Sequence, residues 1–197
     1  MPTRLSHPGA EPVTVAAAKL AASIDADITA WDTDIAGLIS AARESAEHMT
    51  GRTYRRTVWR EELADWPAVT DAIRVHGASA CAISYWTGSA WATLDAAAYV
   101  YAPGGIGNVG TCVAPSLAAG SWPALGAVAL GPRVRVDITA GPPVPEEGQP
   151  VVVPAQVDRY IKAHVSAWRK NPEATASASL AANPLLASLL DAEKLWV

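Results

Sequence analysis

The stretch DTDIAGLISAARESAEHMTGRTY, Asp32 to Tyr54, decides how the chain is read. Ile35, Leu38, Ile39, Ala42, Ala46 and Met49 recur at helical spacing, so one face of this segment is apolar. Asp32 or Thr33 is placed to cap its start, and Asp34 suits the positive end of a helix dipole. Gly51 follows as the residue that can turn left-handed and stop the helix at Met49 or Thr50. Arg43, Glu44 and Glu47 fall mainly on the other faces, the polar side of the helix.

On either side of this helix the chain changes character. Upstream, EPVTVAAAKLAASI offers Thr14 as an N-cap for a short helix with Val15, Ala18 and Ile24 turned inward. Downstream, YRRTVWREEL, AIRVHG, ACAISYW, WATLD and RVRVDITAG are short, β-branched or aromatic, and roughly alternating. Turn chemistry separates them, so residues 53–141 read as about six mostly antiparallel strands. After the proline-rich GPPVPEEGQP, Val157, Ile161, His164, Val165 and Trp168 share one face of a further helix, with Pro154 acceptable in its first turn. A small-residue linker follows. The chain then ends in NPLLASLLDAEKLWV, where Asn183 can cap a last helix striped with Leu185, Leu186, Leu189, Leu190 and Trp196, with Leu195 beside them. The expected fold is α+β: a small helical bundle with an inserted, mostly antiparallel β region and a C-terminal docking helix. Its expected parts are N-terminal helices over 1–52, the β insertion over 53–141, a connector and returning helix over 142–172, and a linker and terminal helix over 173–197.

Composition narrows the function. Half of the 197 residues are hydrophobic, enough for a sizeable core, while only 17% are charged, which favours an oligomer. A net charge of −4 gives no broad basic footprint for tight non-specific DNA binding. Eleven arginines against four lysines, with abundant alanine, suit a GC-rich genome. Cys81 and Cys112 stand far apart without a C-x-x-C and read as buried thiols in a reducing compartment. The opening MPTRLSHPGAEP has no apolar core of a signal peptide, and no 18-residue apolar run occurs, so a soluble protein is expected.

Several apparent motifs fail on context. GGIGNVG, Gly104 to Gly110, fits G-x-G-x-x-G, yet it follows YVYAP and leads into a proline-interrupted segment rather than a helix. It is expected to bend a β–β loop. DADITAWDTD lacks the glycine and glutamate an EF-hand needs, with Ala30 and Ala36 in those places. His7, His48, His76 and His164 lie in four separate segments without metal-ligand spacing. Glu61–Glu62 and Glu146–Glu147 are adjacent pairs that project in different directions. Neither a catalytic set nor a cofactor or metal site is nominated.

Two segments have a physical reason to meet partners. A terminal helix of about fourteen residues is marginal alone in water and needs a surface for its leucine stripe. That surface is either its own domain or another protein, and the small-residue tether gives reach to the second. Arg52, Arg55 and Arg56 form a basic set that could meet acidic partners or phosphate, or simply discourage aggregation at a strand edge. The tryptophans of the β region (Trp59, Trp66, Trp86, Trp91, Trp122) raise a different reading, a carbohydrate- or surface-binding module, which requires them exposed on one sheet face.

Taken in order, Pro12-Val13-Thr14 with Lys19, then Asp34, Leu38-Ile39, Ala41-Ala42-Arg43-Glu44 and Thr50-Gly51-Arg52 resemble the opening of the head–tail connector (adaptor) family of tailed bacteriophages and gene transfer agents. VRVDITAG as a last strand, VPAQVDRYIKAHVSAWRKN as a returning helix and the leucine-rich end agree in layout; the end of the first helix, KLAASIDADITAW, departs from the family's charged pattern. The resemblance implies a dodecameric ring beneath the portal, bridging it to the stopper or tail-completion protein and letting DNA pass without chemistry. It implies a place at the head–tail junction of a particle made in the bacterial cytoplasm, away from any membrane. It also implies that the terminal segment (Leu185, Leu186, Leu189, Leu190, Leu195, Trp196) reaches the portal. Arg43, Glu44 and Glu47 are taken as one side of the contact between ring subunits, which must be heterologous.

Overall fold

The computed structural model describes residues 1–104, 110–145, 150–170 and 188–195. They fall into two compact units, one built from Met1–Gly9 and Arg56–Gly141, the other from Ala10–Arg55 and Pro142–Trp196. Helices and antiparallel sheets make the fold α+β.

The second unit is helical. α1 spans Val15–Ala21 and starts at Thr14, whose extended backbone (φ −77°, ψ 153°) lets its hydroxyl accept from Ala17 N at 3.2 Å. α2 spans Asp32–Thr50 after a 3₁₀ turn over Thr29–Trp31. The expected side-chain cap is absent: Asp32 is already helical, and its carboxylate instead accepts from Lys19 Nζ at 2.9 Å. Gly51 ends α2 at φ +72°, with its N–H donating to Glu47 O at 2.9 Å, a conformation that costs a side-chain-bearing residue energy. α3 spans Ala155–Lys170, and the Pro154 carbonyl accepts from Val157 N and Asp158 N at its start.

α2 and α3 run antiparallel: Tyr160, near the start of α3, shares a 3.0 Å hydrogen bond with Ser45 near the end of α2. Each of the three helices packs on the other two. Ile35, Ile39, Ala42 and Ala46 of α2 meet Val157, Tyr160, Ile161 and Val165 of α3 in one core with Val13, Ala18, Tyr54 and Leu190. Burying each isoleucine contributes about 2 kcal/mol. The apolar stripes read from the sequence are the faces that form this core.

The first unit is β-structured. Its main sheet has the order β1-β2-β7-β3-β4, antiparallel throughout, from β1 (Thr3–Ser6), β2 (Thr57–Leu63), β7 (Val134–Ala140), β3 (Ala78–Trp86) and β4 (Trp91–Thr93). β5 (Tyr99–Ala102) and β6 (Cys112–Pro115) make a second, two-stranded sheet. β7 shows the period-2 logic most clearly: Val134, Val136, Ile138 and Ala140 are buried, and Arg135, Asp137 and Thr139 face the other way. Among the described residues six strands lie within residues 57–140, close to the number expected, but AIRVHG forms no strand, only an isolated bridge between Ile73 and Thr111, while Tyr99–Ala102 and Cys112–Pro115 are strands the alternation does not single out. β1 was not predicted; all four of its residues are exposed, so no apolar pattern marks it.

Of the glycine motif, residues 105–109 lie outside the described residues. Gly110 shows why glycine is required at its end: φ is +144°, and a Cβ there would run into the backbone carbonyl of Ile73.

Candidate functional site

The residues that carry the family resemblance are placed within the helical unit, and Arg43 is the centre of the arrangement. It does not lie exposed on a polar side open to a neighbouring subunit, as expected: it is fully buried. Its Nη1 donates to Glu47 Oε2 at 2.6 Å, its Nε to Glu11 Oε2 at 2.9 Å and its Nη2 to Ser40 Oγ at 3.2 Å, with Glu44 Oε1 at 3.4 Å. The planar guanidinium offers five donors in a fixed fork, so it can satisfy several acceptors that a lysine could not. Burial acts to lower its pKa, but the charges of Glu47, Glu11 and Glu44 outweigh it and the net shift is upward. The arginine therefore stays charged inside the bundle.

Glu47 and Glu11 extend the network. Glu47 Oε1 accepts from the backbone N–H groups of Tyr54 (2.8 Å) and Arg55 (3.3 Å), and Glu11 Oε1 accepts from Arg55 Nη1 at 3.0 Å. Arg43 thus ties the segment before α1 to the segment after α2. Spacing did hold a signal, since Arg43 lies four residues after Ile39 and three before Ala46 at the edge of the apolar stripe, but its charge argued the other way.

Lys19 works in the same way at the other end. It is 3% exposed, and its ammonium donates to Ala26 O (2.9 Å), Ile28 O (2.8 Å) and Asp32 Oδ1 (2.9 Å), using all three donors to hold the turn between α1 and α2. Thr50 Oγ1 donates back to Ala46 O at 2.7 Å, and Arg52 Nε donates to Glu193 O at 2.6 Å. The recurring residues are structural fasteners of the bundle.

The basic set is not assembled as one exposed patch. Arg52 is bonded to the C-terminal segment and Arg55 to Glu11 within the helical unit, while Arg56 is a half-buried residue of the β unit. The terminal segment also differs from the expected continuous helix. Leu190 is fully buried in the core of the chain's own helical unit, Leu189 packs against that core, and Asp191–Glu193 form a 3₁₀ turn. Leu195 N donates to Thr50 O at 2.9 Å, and its side chain lies against Gly51. Of the two surfaces weighed for this stripe, these residues take their own domain; Leu185, Leu186 and Trp196 lie outside the described residues.

The tryptophans of the β unit do not form an exposed platform. Trp66 and Trp122 stack at 4.6 Å and 5°, Trp66 Nε1 donates to Pro123 O, and both pack with Trp59 against the sheet core. Trp86 and Trp91 are half-buried, with the Arg135 guanidinium 3.9 Å over the Trp91 ring. A cavity of about 420 Å³ is lined by Glu61, Leu63, Asp65, Trp66, Asp71 and Arg74, among others. Burial and the nearby Asp137 charge push the Cys81 thiol up to about 12, far from a reactive thiolate. Both cysteines are free thiols. Among the described residues no cluster of His, Cys, Asp or Glu is arranged to hold a metal ion, and no helix is long and apolar enough to cross a membrane.

No protein-family model matches the chain, and no curated protein matches it. Solved structures do. A chain in the neck of an empty GTA particle, computed with C6 symmetry, has TM-score 0.73 at 16% identity. A chain in the virion of a native gene transfer agent (GTA) particle gives 0.70 at 17%, and one in the neck of a native GTA particle computed with C12 symmetry gives 0.66 at 15%. Each comparison covers 100% of this chain and 96% of the other. The chain shares the fold of these neck and virion chains.

Proposed function

We propose that this chain is a structural subunit of the neck of a phage-like particle, a head–tail connector that forms a ring, dodecameric by analogy, beneath the portal. It joins capsid to tail through the portal and the stopper or tail-completion protein, and DNA passes through without chemistry. One observation carries the reading: the fold matches GTA neck chains over its whole length, so both units take part in the likeness. The buried Arg43 and Lys19 networks support it, because they give the resembling residues a shared architectural reason. A net charge of −4 per subunit agrees with a channel that lets DNA slide rather than grips it.

Within this reading the terminal segment has two tasks. Leu189, Leu190 and Leu195 fasten it to its own bundle, and Leu185, Leu186 and Trp196 are assigned to the portal. The test is co-purification with the candidate portal of the same genome, followed by electron microscopy. The full chain is compared with a Leu185→Ser/Leu186→Ser/Trp196→Ser variant that leaves Leu190 in place. A ring on the portal from the full chain alone supports both parts. Rings from both keep the connector role and remove these residues as the anchor. No association by either, at concentrations where the portal itself is assembled, overturns the reading.

A further inference from the structure

Two outward helix faces of the helical unit carry opposite charges at the same spacing. On α2, Asp34, Gly37, Ala41, Glu44 and His48 are all exposed, at steps of three and four residues that keep them on one face. On α3, Arg159 and Arg169 are exposed, with Lys162, Ala163 and Ser166 half-exposed between them on the same face. Asp34 and Glu44 are ten residues apart, as are Arg159 and Arg169, and ten residues of helix span about 15 Å. The two charge pairs therefore have matching separations; Gly37 and Ala41 on α2 and Ala163 and Ser166 on α3 are small, and Lys162 is drawn aside by its bond to Asp158.

These faces are not the ones through which α2 and α3 pack within one subunit. α2 and α3 already pack on each other through their apolar stripes, and each also packs on α1, so these exposed faces are not the ones that meet in the core; only Arg169 reaches across, to Trp31 just before α2. The α3 face is preorganised as well: the Arg169 guanidinium lies 3.7 Å over the Trp31 ring, and Lys162 Nζ is held by Asp158 at 2.8 Å.

We infer that the acidic α2 face (Asp34, Gly37, Ala41, Glu44) docks on the basic α3 face (Arg159, Ala163, Ser166, Arg169) of a second copy of this chain. Two different faces that complement each other give a heterologous contact, and repeated head to tail such a contact closes into a ring. The charge match selects the register and partner orientation, while the small residues provide the close packing. This inference rests on the ring reading above and names the surfaces that would build it. It replaces Arg43 and Glu47 as interface residues, since Arg43 is fully buried and Glu47 is one-tenth exposed, but retains Glu44.

Complementary charge reversal tests it. Variant one is Arg159→Glu/Arg169→Glu, and variant two is Asp34→Lys/Glu44→Lys; Asp34→Lys/His48→Lys substitutes if circular dichroism shows that Glu44→Lys disturbs the neighbouring Arg43. Assembly of the full chain, alone and with the candidate portal, is read by analytical ultracentrifugation and electron microscopy. Each variant alone is expected to associate roughly tenfold or more weakly, as two attractions per contact become repulsions. A one-to-one mixture should regain wild-type assembly, because each variant's reversed face then meets its complement. Assembly by variant one at the wild-type level, or failure of the mixture to recover, overturns this interface while leaving the ring reading intact. A wild-type chain that stays monomeric even with the portal overturns both.

Discussion

Arg43 and Glu47 sit one helical turn apart on α2 and bond at 2.6 Å with side-chain exposures of 1% and 10%. A pair this enclosed is unlike a surface i,i+4 bridge, which contributes only a few tenths of a kcal/mol. Its importance lies in what would be stranded by breaking it. Arg43→Met leaves Glu47 and Glu11 without their shared cation, and the loss is expected at about 3 kcal/mol or more in urea unfolding. Arg43→Lys should recover only part of it, because one ammonium cannot span both carboxylates and Ser40. A loss below about 1 kcal/mol for the methionine variant would show that the network is solvated.

Lys19→Met is expected to cost about 2–3 kcal/mol, since three acceptors lose a charged donor. The effect should be local. Amide hydrogen exchange is expected to speed up over residues 25–32 before anywhere else in the helical unit; uniform acceleration would contradict a clamp on that turn.

Leu190 gives a direct measure of where the terminal segment lives. With the side chain fully buried in the helical core, Leu190→Ala should destabilise the isolated chain by about 2–4 kcal/mol. A residue held in reserve for another protein would leave the thermal midpoint unchanged.

His164 makes the helical unit acid-sensitive. It is 7% exposed between the rings of Tyr160 and Trp168, its Nδ1 has no hydrogen-bond partner among the described residues, and burial lowers its pKa below the usual 6.5. The unfolded chain therefore binds a proton at a higher pH than the folded one. The stabilisation from keeping this ring neutral is complete above about pH 6.5 and is lost as pH falls through the lowered folded value. His164→Phe should flatten the thermal midpoint between pH 5 and 7; an unchanged slope would assign the acid sensitivity to other groups.

The sequence was most legible where one physical rule dominated. Ile35, Ile39, Ala42 and Ala46 were placed by period alone, and Val134, Val136 and Ile138 by alternation. Strand β1 was hidden because pairing with β2, not burial, makes Thr3–Ser6 a strand. Arg43 was misplaced because its charge outweighed its spacing, whereas four acceptors make its burial tolerable. Leu190 shows the remaining limit. Its need for an apolar surface could be read from the sequence, but the surface it takes depends on contacts with residues more than a hundred positions away.

Glu11 and Arg55 stand beside two of the places where the chain passes from one unit to the other, and the carboxylate–guanidinium bond between them is 3.0 Å long. The bond brings together the two ends of the segment that carries α1 and α2, which enters the helical unit at Ala10 and leaves it at Arg55. Bringing chain ends together costs free energy that grows only slowly with loop length, and this ion pair offsets part of that cost for the segment from Glu11 to Arg55. α1 and α2 are thus held as one clasped hairpin, which can open only when the Glu11–Arg55 bond parts.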